Sequence, residues 1–342
     1  MRITPRLFLG LTAAALICTA AALAVYSAGN RWAPASREGV LAFPSLKSRI
    51  NDVQVIELTK GGDKLVLKRK GAEWIADDPY AYPVRIEEVR RFLIGFVEAR
   101  LEEPKTRKRE KYALLGLDDP EKKDAEARRV RLLDGSGGVI AEAIIGTKKW
   151  NAFGSGNNGH YLRKPDDPQS WLASLDVKSS PKIRDWVDRE IFSTTLEDIR
   201  SLTIEHPGEE PVRIVKKEGE KDAFELAGLP QDAKRKKDAP GVVSTAESYT
   251  GIELDDLRKR DPQSRGEWAS IARLETQEGL TLTVHHRMEG EDHWISLQAS
   301  GSGAAREKAE KINARVEKWE FRIPDWKADS MFRHLSEFIE TS

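Results

Sequence analysis

The chain has 342 residues, of which 39% are hydrophobic and 33% charged, so it can bury a core beneath a heavily charged surface. Its 56 basic residues balance 56 acidic ones, and a zero net charge gives no global field that would attract nucleic acid. The single cysteine, Cys18, lies in an apolar segment, which excludes disulfides, thiolate catalysis and cysteine-bound metals from the rest of the chain.

That apolar segment begins at Leu7, ends at Ala28 and contains no charged residue. As a helix it would be roughly 33 Å long, enough to cross the hydrocarbon core of a bilayer. A cleaved secretory signal is the alternative, because Arg2 and Arg6 precede the segment and residues 22–24 (ALA) resemble a cleavage site. The segment is longer than the apolar core of a usual signal, which favours a single-pass inner-membrane anchor with the body on the extracytoplasmic side.

Residues 1–30 are therefore predicted as the anchor, and the proline-containing stretch 31–48 as a tether. The folded part then opens with two β-branched runs within 53–68, which flank a Gly-Gly turn and predict a hairpin. A third short strand is predicted around Trp74. Pro83 is predicted to begin a helix, since apolar residues then recur at helical spacing.

A basic segment, 105–111, could contact anionic lipid or an acidic partner, or it could be a solvated loop. Another hairpin is predicted over 130–145, around an Asp-Gly turn, followed by a strand over 161–163. A short helix is predicted to begin at Ser170.

The same order of elements then returns. Two strands around a glycine turn are again followed by a short strand, a helix, a hairpin and a further strand, predicted over 199–204, 212–216, 224–226, 242–257, 271–285 and 293–297. A helix over 304–318 and a second helix after Pro324 close the chain. The predicted fold class is α+β: an N-terminal transmembrane helix followed by two tandem repeats of antiparallel or mixed sheet with packed helices, over 49–190 and 191–342.

Several short strings, in a fixed order, resemble the bacterial domain-of-unknown-function family 4340. They are 111–120 (KYALLGLDDP), 144–146 (IIG), 160–163 (HYLR), 169–173 (QSWLA), 185–189 (DWVDR), 311–315 (KINAR) and 321–329 (FRIPDWKAD). The resemblance implies a single-span extracytoplasmic protein. It also implies a membrane partner, since some relatives occur with auxiliary subunits of ABC-type transport systems, including those of gliding motility. It supplies no catalytic residues.

Patterns that would carry chemistry are incomplete. The string 154–159 (GSGNNG) has the glycine spacing of a dinucleotide site, but a strand follows it where that site needs a helix, so it predicts a hairpin loop. Residues 179–182 (SSPK) lack the partner motifs of a serine hydrolase. His285 and His286 are neighbours on a strand and point to opposite faces, which disfavours a shared metal.

No catalytic residue, metal ligand or cofactor is therefore predicted. The candidate ligand-binding residues are the polar side chains in and after the glycine-containing loop: Asn151, Asn157, Asn158 and His160.

These features predict a membrane-anchored, extracytoplasmic interaction module, a non-enzymatic accessory of an envelope or ABC-transport-type complex. Its predicted partners are the membrane, through the segment from Leu7 to Ala28, and a membrane-protein complex, with no nucleic acid. The alternative is an envelope ligand-binding or hydrolytic protein, with its site near the loop 151–160 or between the two repeats.

Overall fold

The computed structural model describes Thr19 and residues 39–154, 156–220, 223–229, 233–261 and 268–340. Apart from Thr19, the segment predicted as a membrane anchor lies outside these residues. Within the described ranges, no helix is both long and apolar enough to cross a membrane.

The chain is α+β and rich in sheet, and all of its described strand pairs are antiparallel. A first sheet has the strand order β1-β6-β10-β9-β8-β7-β2-β3-β4-β5. Its strands are β1 (Val40–Leu41), β2 (Val55–Lys60), β3 (Asp63–Lys70), β4 (Glu73–Ala76), β5 (Tyr82–Val84), β6 (Arg100–Pro104), β7 (Arg128–Leu133), β8 (Val139–Lys149), β9 (Gly159–Arg163) and β10 (Ser170–Ser174).

A second sheet has the order β14-β13-β12-β17-β18-β19-β20-β16. Its strands are β12 (Ile199–Glu205), β13 (Val212–Lys216), β14 (Phe224–Leu226), β16 (Asp256–Lys259), β17 (Ser270–Thr276), β18 (Thr281–Glu289), β19 (Asp292–Ser300) and β20 (Trp319–Ile323). A small separate sheet pairs β11 (Glu190–Ser193) with β15 (Gly251–Glu253).

The helices are short or amphipathic. They are α1 (Leu46–Arg49), α2 (Ile86–Glu98), α3 (Val242–Glu247), α4 (Ala304–Val316), α5 (Asp325–Met331) and α6 (Leu335–Phe338), with 3-10 turns at Ile50–Asp52, Arg109–Leu115 and Ile183–Asp185. In α2, Val89, Phe92, Leu93 and Phe96 recur at helical spacing and are buried, so one face of the helix packs into the core.

The two faces of the first sheet are covered by different parts of the chain. Alternating residues such as Ile145 and Leu162 belong to the main core with α2. Their strand neighbours Ile144 and Tyr161 point the other way and pack with Tyr112 of the 3-10 turn. Strands β7, β8 and β9 are therefore held from both sides, which makes them a rigid support for side chains at their ends.

The two large sheets meet through aromatic side chains. Tyr82 at the edge of the first sheet packs edge-to-face on Trp319 of β20, with ring centroids 5.0 Å apart. The indole Nε1 of Trp319 donates to the carbonyl oxygen of Tyr80 at 3.0 Å. Most of the buried apolar residues of both sheets form one continuous cluster, so the two halves share a core.

Three helix predictions are wrong in position or type. Residues 170–174 form a strand, because β10 is paired on both sides, with β9 and with β6, and non-local pairing overrides any local helix preference. The helix predicted over 242–257 ends at Glu247 and is followed by β15 and β16. Pro83 lies inside β5 rather than at a helix start, and α2 begins at Ile86.

The end of the stretch predicted as a tether is also folded. Val40 and Leu41 pair with β6, and Ala42, Phe43 and Leu46 are buried against the first sheet. The helix predicted after Pro324 is interrupted, because α5 ends at Met331 and α6 begins only at Leu335.

Candidate functional site

A pocket of about 440 Å³ opens between α2, the ends of strands β7 to β9 and the segment that follows β10. We call it the His160 pocket. Its lining residues are Glu88, Arg91, Phe92, Arg128, Lys148, His160, Asp176, Val177, Lys178, Asp185 and Trp186. The volume lies in the range of sites for small organic ligands.

Arg128 provides a half-buried positive charge in this pocket. It begins β7 and is in phase with the buried Val130 and Leu132, so its side chain lies on the core-facing side of the sheet. Its Nη1 donates a long hydrogen bond of 3.4 Å to Ser179 Oγ. Among the described residues, no carboxylate lies within 4 Å of its guanidinium nitrogens. Burial lowers the pKa of Arg128 below its ordinary value and the charge of the exposed Glu126 opposes the shift, but an arginine remains cationic at neutral pH.

His160 is buried beside this charge. Its Nδ1 lies 2.6 Å from the carbonyl oxygen of Leu175. Since a carbonyl only accepts, Nδ1 carries the hydrogen and Nε2 of the neutral ring carries a lone pair. Burial lowers the pKa of His160, the charge of Arg128 acts in the same direction, and the bond to Leu175 opposes both. The ring is therefore neutral at pH 7.

Two of the carboxylates that line the pocket already have cationic partners. Glu88 accepts from Arg91 Nη1 at 2.9 Å and also lies 3.9 Å from Lys178 Nζ. Asp176 accepts from Lys148 Nζ at 2.8 Å, and this bond lowers the pKa of the carboxyl group. Arg128 is thus the cation of the pocket whose charge is least compensated by its neighbours.

The apolar wall of the pocket is aromatic. Phe92 of α2 packs edge-to-face on the buried Trp186, with ring centroids 5.2 Å apart, and Val177 lies beside them. Trp186 is fixed by its Nε1, which donates to Ser180 O at 2.9 Å, and by its own carbonyl, which accepts from Arg85 N at 2.8 Å. The pocket therefore combines rigid rings with a cationic floor.

The four loop residues predicted as ligand-binding have different positions. Only His160 lines the pocket. Asn158 does not line the pocket but bonds to a residue that does, since its Nδ2 donates to Asp176 Oδ2 at 3.3 Å. Asn151 has a left-handed backbone with φ 48° and orders the loop, its Oδ1 accepting from Gly156 N at 2.9 Å. Asn157 is exposed, and its backbone bonds within the loop, with its N donating to Gly154 O and its O accepting from Phe153 N.

Sequence reasoning missed Arg128, Lys148 and Asp176. A signal for Arg128 was present, because an arginine in phase with buried Val130 and Leu132 occupies a position where an apolar residue is expected. Lys148 and Asp176 gave no such signal.

A second cleft of about 260 Å³ lies between the two sheets, where the alternative site was predicted. Asp255 accepts from Arg322 Nη2 at 2.8 Å and also pairs with Arg184. The adjacent Asp256 has a raised pKa, chiefly because of burial, and the Leu257 N–H bond and Arg322 oppose the shift. Burial also raises the pKa of Tyr80 on the opposite wall.

The histidines of β18 face opposite sides of the sheet, as the alternation predicts. His285 packs on Trp268, whereas His286 Nε2 lies 2.9 Å from His293 Nδ1. Over the ranges that the structure describes, no group of three histidine, cysteine or acidic side chains gathers in a geometry that would hold a metal.

Several strings that carry the resemblance converge behind the pocket. Arg163 Nε donates to Leu117 O at 3.2 Å, and its guanidinium lies 4.9 Å from the centre of the Tyr112 ring. Tyr112 Oη donates to Pro168 O at 2.6 Å. Gly146 lies directly against the backbone of Leu115 and Gly116. The strings 111–120, 144–146 and 160–163 therefore fix the outer face of the strands that carry Arg128 and His160.

Comparison with known proteins gives one match. The family model described as "Domain of unknown function (DUF4340)" matches residues 74–261, which is more than half of the chain and extends from the first sheet into the second. No curated protein and no solved structure matches the chain. This match agrees with the strings in the sequence and with their convergence around β8 and β9. The chain belongs to the DUF4340 family.

Proposed function

We propose that the protein is a membrane-tethered, extracytoplasmic interaction module without catalytic function, and that the His160 pocket is where it contacts its ligand or partner. One observation carries this proposal: a half-buried guanidinium without a described acidic partner lies in a pocket with rigid aromatic walls. A buried charge is costly unless it is compensated, so an outside group that compensates it gains binding free energy.

The residues of the pocket are suited to binding more than to covalent chemistry. No serine, threonine or cysteine is among the residues that line it. Ser179, whose hydroxyl accepts from Arg128, is itself buried outside the lining. The proposal of a membrane tether rests on the apolar segment 7–28, and that of an envelope or ABC-transport-type complex rests on the resemblance to family members.

We also propose that the two halves, 49–190 and 191–342, arose by internal duplication. The strand order supports this proposal. Starting from β16, the second sheet runs β16-β20-β19-β18-β17-β12-β13-β14, and the first contains β6-β10-β9-β8-β7-β2-β3-β4. Each strand of the series in the first sheet corresponds to the strand numbered ten higher in the second sheet. Along the chain, α2 follows β4 and β5, and α3 follows β14, the strand that corresponds to β4.

The proposed contact is tested with a photo-crosslinking residue at the pocket rim. Arg91 lines the pocket, and its side chain is 68% exposed. We expect Arg91→p-benzoylphenylalanine in the full chain, irradiated in the native host, to yield a discrete crosslinked membrane protein that mass spectrometry identifies. The reason is that a partner seated on the pocket must approach this position.

The matched control is the same substitution at Arg306, which is 74% exposed on α4 and does not line the pocket. It should give no crosslink to that protein. Equal capture from both positions, or none from position 91, would contradict the proposed contact surface.

The second candidate function is hydrolysis in the cleft between the sheets. It is favoured by the juxtaposition of Asp256, whose pKa is raised, with an arginine-bound Asp255, because acid–base pairs depend on carboxyls in unlike environments. This candidate predicts that the full chain cleaves an envelope glycan or peptide. Asp256→Asn should abolish the cleavage, whereas Asp166→Asn, at an exposed position that does not line the cleft, should leave it unchanged. An inactive wild-type chain would count against it.

A further inference from the structure

We infer that the His160 pocket binds an organic carboxylate, with the carboxylate on Arg128 and its apolar body against Phe92 and Trp186. This inference rests on the proposed function of the pocket and adds the chemical class of the bound group. The bound carboxylate belongs either to a free acid or to a longer chain, and it is attached to an apolar group about the size of one aromatic ring.

The charges of the pocket favour an anion. Four cationic side chains and three carboxylates line it, which leaves an excess of one positive charge. Glu88 and Asp176 are already engaged by Arg91 and by Lys148. Asp185 also lines the pocket but lies beyond 4 Å from every cationic nitrogen that the structure describes. Arg128 and Lys178 then remain against the carboxylate of Asp185; Lys178 is exposed to solvent and lies 3.9 Å from Glu88, whereas Arg128 is half-buried and has no carboxylate this close among the described residues.

The geometry of a guanidinium favours a carboxylate over a spherical anion. Arginine has five N–H donors in a planar fork that matches the two oxygens of a carboxylate. In Arg128, one of these donors is directed to Ser179 Oγ at a long 3.4 Å. The remaining donors are available on the pocket side, where burial strengthens a charged hydrogen bond.

The remaining walls define the body of the ligand. Phe92, Val177 and Trp186 form the apolar inner end of the pocket, where they are 3%, 8% and 1% exposed, and the rings of Phe92 and Trp186 pack edge-to-face with centroids 5.2 Å apart. A volume of about 440 Å³ accommodates an aromatic acid or a short apolar side chain with its carboxylate. Neutral His160 adds no second positive charge, so a single carboxylate is sufficient to neutralise the site.

The test uses three fluorinated probes and the full chain in nanodiscs, with binding followed by ¹⁹F NMR line broadening. The probes are 4-fluorobenzoate, the uncharged 4-fluorobenzamide and 4-fluorophenyl phosphate. We expect the benzoate to bind at millimolar concentration or below and the amide to bind at least roughly tenfold more weakly, because the charge-assisted bonds to Arg128 are lost.

Two neighbouring arginines provide matched variants. Arg128→Gln should weaken benzoate binding roughly tenfold or more, and Arg128→Lys should restore part of it. Arg129→Gln should leave it unchanged, since Arg129 points to the other face of β7 and pairs with Glu142 at 2.6 Å. Thermal melting of each variant shows whether the fold is retained.

Several results would overturn the inference. They are equal binding of benzoate and benzamide, no binding of benzoate at millimolar concentration, equal effects of Arg128→Gln and Arg129→Gln, and tighter binding of the phosphate than of the benzoate. None of them would remove a crosslinked partner at position 91, so failure of this inference is distinguishable from failure of the proposed contact surface.

Discussion

Gly146→Ala is expected to lower the free energy of unfolding by about 3 kcal/mol, the upper end for overpacking a core. An ideal Cβ at this position would lie 2.9 Å from Gly116 O and closer still to Leu115 O. Both neighbours are backbone atoms of a segment that is fixed by the bonds of Tyr112 and Arg163, so neither can move aside. Urea unfolding of the full chain, followed by tryptophan fluorescence, measures the loss.

Gly251→Ala is the matched control. Gly251 also lies in a strand, its φ is outside the left-handed region, and no heavy atom lies within 4 Å of an ideal Cβ there. Its substitution should change the free energy of unfolding by no more than about 0.5 kcal/mol. If the two alanine variants unfold at the same denaturant concentration, the close approach of β8 to Leu115 and Gly116 is not what requires glycine at position 146.

The elements that sequence reasoning located are those with local signals. The hairpin of β2 and β3 has alternating β-branched residues around a Gly-Gly turn, and α2 has apolar residues at helical spacing. Strand β10 was missed because its identity depends on pairing with β6, a strand about 70 residues earlier in the chain. No periodicity over five residues contains that information.

The pocket shows the same limit. Its lining residues come from α2, three strands and a later segment. They range from Glu88 to Trp186, so they are far apart in the sequence but close together in the fold. The loop 151–158 attracted attention because of its glycines and asparagines. The structure shows that Asn151 and Asn158 order that loop, while the adjacent His160 enters the pocket. The charged group that carries the proposal, Arg128, could be recognised only by its phase with buried neighbours.

The free energy of unfolding is expected to fall as the pH is lowered from 6.5 to 4, because His286 is buried in a cluster of histidines. His286 stacks on the ring of Phe332 with centroids 4.3 Å apart, and its ring is nearly parallel to that of His293, with centroids 5.2 Å apart. Its Nε2 lies 2.9 Å from His293 Nδ1, and its Nδ1 lies 3.4 Å from Ser270 Oγ, which also contacts His206. Burial lowers the pKa of His286 to about 4, and the charges of His293 and His206 add to the shift.

The sign of the effect follows from proton binding. In the unfolded chain an ordinary histidine titrates near pH 6.5, so between pH 6.5 and 4 the unfolded state binds a proton that folded His286 does not. The free energy of unfolding therefore falls as the pH is lowered through this window. The loss from this one group reaches about 3 kcal/mol below pH 4. Above pH 6.5 both states are neutral, and the group contributes no pH dependence.

Two variants isolate this contribution from the acids that also titrate near pH 4. His286→Gln keeps hydrogen-bonding groups for Ser270 and His293, and His286→Phe keeps the stack on Phe332. Each is expected to be less stable than the wild type at pH 7, because a buried contact is lost. Between pH 7 and 4, each should lose about 3 kcal/mol less stability than the wild type does. Urea unfolding at half-unit pH steps gives the three curves. Curves for both variants that run parallel to that of the wild type would show that folded His286 is not held neutral by its surroundings.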